Sequence, residues 1–331
     1  PCAMGLATPA AIAVGMGRAA RTGILFRNAT SLETFKDIRQ VVFDKTGTLT
    51  TGKFQITDFK SQVEEAEFRL IVYSLEKYSN HPIAKAITDD WKLKEEIRWE
   101  KIDEIKGLGM KASDKEGNRY IAGSFRAADG LTNEDWHNVY ITRNGELLGW
   151  IDVKDEIRPE AKAVIDYLHS KNIETILLSG DRLEKCNQLA AVLGIDTVIA
   201  EQTPEQKLKT IEELNQKAPT AMVGDGINDA PALAKATIGV SMNDASQIAV
   251  QSAQVILMNH GLKNLPTALG LGKHTYITIK ENLFWAFAYN IVAIPVAAFG
   301  FLTPTFGALV MGMSDVVLAI NSVRLFVKKV V

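Results

Sequence analysis

Short β-branched runs alternate with helical patterns in the second half of the chain. Ile173–Leu178, Thr197–Ala200 and Thr220–Val223 predict strands, because each run is rich in β-branched residues. Helical periodicity lies between these runs, at residues 159–170 and 204–216. The alternation predicts a parallel α/β sheet with helices packed on its faces.

A different pattern separates this region from an earlier strand run, Val41–Phe43, which lies more than a hundred residues upstream. Residues 54–150 contain strand-like runs with turn pairs at 117–118 and 144–145. Turn pairs of this kind connect antiparallel strands in hairpins. The sequence therefore predicts an α+β domain inserted into the parallel α/β domain.

The C-terminal part of the chain is mostly apolar. Leu283–Leu302 is a run of twenty residues without a charge, which is long enough to cross about 30 Å of hydrocarbon. A second apolar run, Phe306–Val327, is interrupted by Asp315 and Arg324. The two runs predict a transmembrane hairpin, and the alternative is a pair of buried helices in a soluble core.

Basic residues flank this predicted hairpin on both sides. Lys273, His274 and Lys280 precede it, and Lys328 and Lys329 follow it. The positive-inside rule therefore places both of its ends in the cytoplasm.

The N-terminal segment, PCAMGLATPAAIAVGMG, is apolar and is broken by Gly and Pro. It begins with Pro1 rather than with Met, so we interpret the chain as a piece of a longer protein. The segment is short, and we expect it to be the end of a spanning helix whose beginning lies outside this sequence.

Composition limits the possible functions. With 331 residues, of which 47% are hydrophobic, the chain can form two or three compact units. A net charge of −2 gives no general attraction to nucleic acid, so no nucleic-acid partner is expected. Cys2 and Cys186 lie far apart, which argues against a disulfide framework and favours a reducing compartment for the soluble parts.

Acidic residues follow three of the predicted strands. They are Asp44, the segment Ser179-Gly180-Asp181, and the segment 224–229. Because ligands collect at the carboxyl ends of parallel strands, these loops predict a site for Mg²⁺ and phosphate. Lys207 would add a fixed positive charge beside a transferred phosphoryl group.

Asp44 has two interpretations. A carboxylate can attack phosphorus and hold it as an acyl phosphate, which makes Asp44 a candidate nucleophile. The alternative is an aspartate that only caps a turn at the end of a strand. The accompanying acidic loops favour the nucleophile.

The segment DKTGTLT, residues 44–50, resembles the signature of the P-type ATPases, whose phosphorylation domain belongs to the haloacid-dehalogenase superfamily. Four further segments extend the resemblance over essentially the whole chain, namely DEIRP at 155–159, SGD at 179–181 where TGD is usual, TPEQK at 203–207 and GDGINDAP at 224–231.

The resemblance implies a haloacid-dehalogenase-like parallel-sheet phosphorylation domain of the α/β class, an inserted α+β nucleotide-binding domain, and transmembrane helices. The expected organisation has the end of a metal-site transmembrane helix at 1–20, a connector with the first part of the phosphorylation domain at 21–53, the nucleotide-binding domain at 54–150, the second part of the phosphorylation domain at 151–272, and a transmembrane hairpin with the C-terminus at 273–331.

The resemblance also implies roles at the phosphorylation site. Asp44 would be phosphorylated, with Asp225 and Thr46 joining it around Mg²⁺, while Lys207 and Asn228 contact the phosphoryl group. The remaining catalytic residues of the matching segments are Lys45, Ser179, Gly180, Asp181 and Asp229.

Thr46 distinguishes this chain from the soluble phosphatases of the superfamily, which usually have a second aspartate at that position as general acid and base. Without that aspartate the acyl phosphate should persist, as coupling to movement requires.

The inserted domain resembles the nucleotide-binding domain of the heavy-metal-transporting P-type ATPases. In that family a Glu and a His contact adenine, and glycines allow the nucleotide to approach the backbone. Gly123 is followed by Ser124, whereas the family often has Gly-Asn there. The implied ATP-binding residues are Glu76, His81, Pro82, Gly107, Gly109 and Gly123.

The membrane segments resemble those of the copper-exporting branch. Cys2 would be the second cysteine of a Cys-Pro-Cys motif, and soft sulfur ligands suit Cu⁺. Asp315 departs from the Met-x-x-Ser-Ser pattern of this branch and leaves Zn²⁺ as the alternative. The implied ligands of the transported metal are Cys2, Asn282, Tyr289, Asn290, Met311 and Ser314.

These resemblances imply an ATP-driven exporter of a heavy-metal cation, Cu⁺ first, in the cell membrane with its catalytic domains in the cytoplasm. Its partners would be the lipid bilayer, ATP, Mg²⁺ and a metal ion that a metallochaperone could deliver. The actuator domain, with its TGE-type loop, is expected to lie outside this sequence. A soluble phosphohydrolase would explain the acidic loops but not the apolar hairpin, and a noncatalytic membrane adaptor would not need Asp44 or Lys207.

Overall fold

The computed structural model describes residues 2–105, 107–225, 229–242, 245–258 and 261–331, and in the first helix it describes side chains from Met4 onward. Its internal contacts divide the chain into two compact units. The first consists of Pro1–Leu49 together with Arg158–Val331, and the second is Thr50–Ile157.

The first unit contains a seven-stranded sheet in the order β1-β13-β12-β11-β2-β9-β10. Its strands pair in parallel except β1, which pairs antiparallel with β13 at one edge. The strand bounds are Ile24–Phe26 (β1), Gln40–Phe43 (β2), Glu174–Leu178 (β9), Thr197–Ile199 (β10), Thr220–Gly224 (β11), Ile238–Met242 (β12) and Val255–Leu257 (β13).

Helices connect these strands and bury their apolar faces against the sheet. Val42 of β2, Ile176 of β9 and Met222 of β11 share a core with Ile211 and Leu233 from the helices. The helices are α2 (Ala29–Thr34), α5 (Ala161–Ser170), α6 (Leu183–Leu193), α7 (Pro204–Lys217), α8 (Ala230–Lys235) and α9 (Gln247–Ser252). The predicted parallel α/β sheet is confirmed, and each strand end differs from the prediction by no more than one residue.

In the second unit, the described residues form a six-stranded antiparallel sheet in the order β3-β8-β7-β6-β5-β4 and two α-helices. Phe68, Leu75, Ile87, Tyr120 and Ile151 are buried in a core of its own. The bounds are Thr50–Ser61 (β3), Glu65–Glu76 (α3), Pro82–Asp90 (α4), Lys101–Ile105 (β4), Gly109–Ser113 (β5), Arg119–Gly123 (β6), Val139–Arg143 (β7) and Glu146–Ile157 (β8). The long strands β3 and β8 begin and end this unit, which therefore extends beyond residues 54–150 in both directions.

Three further helices of the first unit pack together, namely α1 (Cys2–Arg21), α10 (Leu265–Ala298) and α11 (Pro304–Val323). The buried Asn282 of α10 joins all three, because its Nδ2 donates to the carbonyl of Ala7 at 3.0 Å and to Oγ of Ser322 at 2.9 Å. Its Oδ1 accepts from Nδ2 of Asn321 at 2.9 Å. Such bonds between helices are a common way to satisfy polar groups at membrane depth.

Among the described residues, only Pro304–Phe326 is a helical segment long and apolar enough to cross a membrane. α10 is longer, but its C-terminal half also contains the polar residues Asn282, Tyr289 and Asn290. The helix α10 does not coincide with the apolar run Leu283–Leu302. It starts at Leu265, eighteen residues before that run, and ends at Ala298, four residues before the run ends.

Candidate functional site

Asp44 directly follows β2 and is buried at the edge of the sheet where the parallel strands end. The β-branched residues of β2 are fully buried, and the N–H of Asp44 continues the ladder by donating to the carbonyl of Val223 at 2.9 Å. The side chain of Asp44 is consequently buried, with 7% of the residue exposed. A buried carboxylate at a strand end needs charge compensation, which the neighbouring loops supply.

The turn after Asp44 requires a glycine. Gly47 has φ of 77°, a conformation that residues with a Cβ rarely adopt. A Cβ at this position would lie 1.7 Å from Oδ2 of Asp225, so a side chain would displace that carboxylate. The glycine therefore lets the loop after β2 approach the loop after β11.

Three carboxylates meet where these loops converge. One oxygen from each of Asp44, Asp225 and Asp229 lies within 4.8 Å of the other two. Carboxylate oxygens are the ligands that Mg²⁺ prefers, so this donor set fits a hard divalent cation. The described part of the chain contains no other such cluster of His, Cys, Asp and Glu.

Lys207 lies in the same cluster. Its helix α7 starts with a capping box, in which Thr203 and Gln206 exchange hydrogen bonds and Pro204 occupies the first turn. This start orients the helix so that Lys207 is buried, where its Nζ donates to Oδ1 of Asp44 and, at 2.9 Å, to Oδ1 of Asp229.

Burial and charge together set the protonation of this cluster. Burial and the nearby charge of Asp229 raise the pKa of Asp44 to about 7, against the opposing effect of Lys207. Burial alone would lower the pKa of Lys207, but the charges of Asp44 and Asp229 outweigh it and raise that pKa. Lys207 is therefore a permanent cation, and additional positive charge at the cluster would favour the ionised, nucleophilic form of Asp44.

The loop after β9 lies beside the same turn. Ser179 is buried, and its hydroxyl accepts from the N–H of Asp181 at 3.1 Å, which shapes the Ser179-Gly180-Asp181 turn. Asp181 forms an ion pair with Lys45. This pair connects the loops after β2 and β9 at the sheet edge.

Arg158 makes a contact that the sequence motif alone does not assign. Its Nη2 donates to the carbonyl of Gly47 at 2.8 Å, and its N–H donates to the carbonyl of Leu49 at 2.9 Å. Arg158 thus holds the turn after Asp44 from outside the acidic cluster. The sequence motif at 155–159 includes Arg158, but it does not indicate the partner, Gly47, which lies 111 residues away.

Thr46 and Asn228 were also predicted to belong to the phosphorylation site. Thr46 is exposed on the turn after Asp44. Asn228 lies outside the described residues.

The predicted nucleotide residues fall at two helices, α3 and α4, and at one strand pair of the second unit. Glu76 ends α3 and is buried, and burial followed by the charge of Glu104 raises its pKa to about 7. His81 is the exposed N-cap of α4, where its Nδ1 accepts from the N–H of Ile83 at 3.3 Å, and Pro82 follows in the first turn.

The glycines of this unit allow two backbone segments to approach closely. Gly109 of β5 pairs with Gly123 of β6. A Cβ on Gly109 would lie 2.1 Å from the carbonyl oxygen of Ala122, and one on Gly123 would lie 2.0 Å from that of Leu108. Gly107 precedes them with φ of 78°. Side chains are thereby excluded from this part of the sheet.

The predicted metal residues of α10 differ in their surroundings. Both groups of the Asn282 amide are occupied by hydrogen bonds to α1 and α11. Asn290 donates to the carbonyl of Ala286 within its own helix at 2.8 Å. Tyr289 lines an apolar groove of about 370 Å³ between α10 and α11, which it shares with Ser314.

On α11, Met311 and Ser314 are half-buried, and Oγ of Ser314 donates to the carbonyl of Met311 at 2.7 Å. The next residue, Asp315, has a buried Oδ1 without a hydrogen-bond partner among the described residues. The side chain of Cys2 lies outside the described part of the chain.

The chain matches a family described as haloacid dehalogenase-like hydrolase over residues 38–237. It is 38% identical to a copper-exporting P-type ATPase of Vibrio cholerae over 98% of this chain and 38% of that protein. It is also 38% identical to a probable copper-exporting P-type ATPase of Archaeoglobus fulgidus, over 98% of this chain and 43% of that protein. The chain thus spans about two fifths of the length of these curated relatives.

Solved structures show the same similarity. A zinc-transporting PIB-type ATPase in the E2.Pi state superimposes with a TM-score of 0.82 at 32% identity, over 98% of this chain and 56% of that one. The catalytic domain of the CPx-ATPase CopB-B gives a TM-score of 0.68 at 29% identity, over 78% of this chain and 98% of that one.

Proposed function

Because this chain belongs to the haloacid dehalogenase-like hydrolases, and within them to the P-type ATPases, we propose that it carries the catalytic and C-terminal membrane parts of an ATP-driven heavy-metal exporter. The observation that supports this best is the position of Lys207, which bridges Asp44 and Asp229 inside the sheet edge. A buried lysine between two carboxylates neutralises a site that otherwise concentrates negative charge, and an incoming phosphoryl group needs that neutralisation.

In the proposed reaction, the side-chain carboxylate of Asp44 attacks the γ-phosphorus of ATP. A bond forms between a carboxylate oxygen and phosphorus, the bond to the bridging oxygen of the β-phosphate breaks, and ADP leaves with that electron pair. The product is an acyl phosphate on Asp44. Lys207 stays protonated throughout and offsets the charge of the phosphoryl oxygens.

The carboxylates of Asp44, Asp225 and Asp229 would hold Mg²⁺, with the loop at Thr46 beside them. The ion would supply electrostatic stabilisation of the transferred phosphoryl group. Thr46 offers no general base at the position where an aspartate would activate water, so the acyl phosphate persists long enough to be coupled to a conformational step.

We assign ATP binding to the second unit, through Glu76, His81 and the glycines 107, 109 and 123. Gly109 and Gly123 let β5 and β6 approach closely beside the exposed Gly107, and we assign the approach of the nucleotide to the backbone to this glycine turn. The buried Glu76, with its raised pKa, would act as a hydrogen-bond donor in its protonated form.

For the transported metal we propose Cu⁺, because the relatives described above are copper-exporting P-type ATPases. Met311 offers a thioether and Cys2 a thiolate, and both are soft ligands. Zn²⁺ is the second candidate, because Asp315 provides a hard oxygen without a hydrogen-bond partner on α11. The proposed location is a cell membrane, with the seven-stranded sheet of the first unit and the whole second unit in the cytoplasm and metal delivered by a metallochaperone.

The decisive experiment is labelling of the purified protein with [γ-³²P]ATP and Mg²⁺. We expect an acid-stable label that hydroxylamine removes, as an acyl phosphate requires, and no label on Asp44→Asn. Asp37→Asn, which changes an exposed carboxylate outside the site, serves as the matched control and should be labelled like the wild type. Normal labelling of Asp44→Asn would move the nucleophile elsewhere and defeat the proposal.

A further inference from the structure

Positive charges from three different segments lie near one another where α1 and α11 end and where the first half of α10 passes them. Arg18 lies near the end of α1, Lys273 lies on α10 ahead of its apolar half, and Lys328 follows α11. Lys273 lies ten residues before the apolar run that starts at Leu283, and Lys328 lies five residues after the end of α11.

Direct contacts hold the end of α1 against the segment that follows α11. Nη1 of Arg18 donates to the carbonyl of Leu325. The guanidinium of Arg21 lies 5.6 Å from the centroid of the Phe326 ring, within the range of a cation–π interaction. The last turn of α1 and residues 324–326 therefore form one packed junction.

The C-terminal tail is held against α10. A Cβ on Gly270 would lie 2.0 Å from the carbonyl oxygen of Val330, so only glycine leaves room for the tail at this point of the helix. Lys328 comes two residues before Val330 and is thereby kept near Lys273, one turn further along α10.

The resulting cluster has little negative charge to balance it. Burial lowers the pKa of His274, and the next contributions come from the positive charges of Lys328, Lys273 and Arg18, whereas Glu281 opposes them. Within the described part of the chain, the side-chain ammonium groups of Lys273 and Lys328 form no hydrogen bond and no ion pair. Unpaired cations that converge in this way attract a polyanionic group such as a phosphate.

Apolar surface adjoins the cluster on the side of α11. Val323 and Val327 are 56% and 83% exposed, although both are large hydrophobic residues. The segment Pro304–Phe326, which is long and apolar enough to cross a membrane, ends between these two residues. A phosphate bound here would thus have a surface for acyl chains directly beside it, which favours a lipid over free phosphate.

We propose that Arg18, Lys273 and Lys328, arranged around His274, form a binding site for the headgroup phosphate of an anionic phospholipid in the cytoplasmic leaflet. The inference rests on the membrane placement of α10 and α11 proposed above. These basic residues would then bind one class of lipid selectively, in addition to favouring the cytoplasmic side of the membrane. Bound lipid would join the end of α1 to α10 and to the tail.

The test uses the protein in phosphatidylcholine nanodiscs that contain spin-labelled phosphatidylglycerol or spin-labelled phosphatidylcholine. The readout is the ratio of motionally restricted lipid of the two kinds. The variant is Lys273→Gln with Lys328→Gln, and the control, with the same change in net charge, is Lys115→Gln with Lys217→Gln. Lys115 and Lys217 are exposed residues of the second unit and of the end of α7.

We expect the wild type and the control to prefer phosphatidylglycerol, and the cluster variant to lose about fivefold in preference for each lysine removed. An unchanged preference in the cluster variant, or an equal loss in the control, would overturn the site. Displacement of phosphatidylglycerol by millimolar inorganic phosphate would show a free-phosphate site and also overturn the lipid assignment.

Labelling of Asp44 by ATP is measured on the same samples and is expected to be equal in all of them. A loss of lipid preference with intact labelling therefore supports the lipid site without bearing on the phosphorylation site. If the wild type lacks a preference while Asp44 is still labelled, the lipid site is wrong and the proposed phosphorylation chemistry stands.

Discussion

Single residues decide how closely the loops of the acidic site approach each other, and Gly47 is the clearest case. We expect Gly47→Ala to reduce phosphorylation of Asp44 by about 100-fold or more, because its Cβ would coincide with the Asp225 carboxylate at 1.7 Å. Loss of that carboxylate geometry affects both cation binding and the charge around Asp44. The measurement is the initial rate of ³²P labelling at saturating Mg²⁺.

Gly117→Ala is the matched control for this change. Gly117 has φ of 85°, close to the value of 77° at Gly47, but a Cβ there would meet no atom within 4 Å. Both variants carry a similar backbone strain of about 1–2 kcal/mol, and only Gly47→Ala adds the collision. Equal labelling of the two variants would mean that the approach of the two loops is unimportant.

Glu76 gives a pH dependence with a definite sign. Its folded-state pKa is raised from 4.5 to about 7, so the folded form binds this proton more tightly than the unfolded form. The free energy of unfolding should therefore fall as pH rises from about 4.5 to about 7. Glu76→Gln should leave stability unchanged near pH 4.5 and raise it by roughly 3 kcal/mol above pH 7.

Thermal unfolding of the wild type and of Glu76→Gln across this pH range checks the expectation. Glu116→Gln, at an exposed turn position, should follow the wild type at every pH. A Glu76→Gln curve parallel to that of the wild type from pH 4.5 to pH 8 would show that Glu76 is ionised in the folded protein.

At the scale of elements, the start of α7 positions Lys207. Thr203→Ala removes one half of the capping box and should cost about 1 kcal/mol of stability, with a moderate loss of Asp44 labelling as the first turn frays. Thr203→Ser keeps the hydroxyl and should restore both properties. A Ser variant as weak as the Ala variant would point to the methyl group rather than to the cap.

The elements were also the part that the sequence predicted best. The strands β2, β9, β10 and β11 could be located because short β-branched runs between helical patterns have few other solutions, and parallel strand ends then bring Asp44, Asp225 and Asp229 to one edge. A contact such as Arg158 to Gly47 could not be predicted, because it depends on side-chain geometry across 111 residues.

For α10, in contrast, the sequence predicted neither the start of the helix nor its contacts. Hydropathy located the apolar run after Leu283 but could not reveal that α10 starts at Leu265, because the first half of that helix is buried against α1 and α2 in a mixed pattern. The role of Asn282 was also hidden from the sequence. Its three hydrogen bonds reach residues that lie 275, 40 and 39 positions away.

At the scale of the whole molecule, the second unit should fold by itself. Thr50–Ile157 has its own hydrophobic core, and its first and last strands pair with each other. We expect residues 50–157, expressed alone, to give a cooperative unfolding transition and ATP-dependent chemical-shift changes near His81, Gly107 and Gly109. His81→Gln should weaken the ATP response and keep the fold, whereas shifts confined to residues far from these three would contradict the assignment.

Metal selectivity belongs to the same scale, because it requires the complete membrane site. We expect ATP turnover of the full-length protein to be stimulated by Cu⁺ under reducing conditions and to lose that stimulation in Met311→Ala, since the thioether is removed. Met313→Ala, an exposed methionine on the same helix, is the control. If only Zn²⁺ stimulates turnover, and Asp315→Ala abolishes that stimulation, the transported metal is Zn²⁺ rather than Cu⁺.

The hydrogen bond from the N–H of Arg158 to the carbonyl of Leu49, at 2.9 Å, has a practical consequence. The two ends of the first unit's chain are already adjacent where the second unit is inserted, so a short glycine loop could replace residues 50–157 without stretching either end. The shortened protein would retain Asp44, Lys207 and Asp229 but would lack the residues proposed to bind ATP. Acetyl phosphate, a phosphoryl donor without a base or sugar, would then be the natural reagent with which to study the aspartate in isolation.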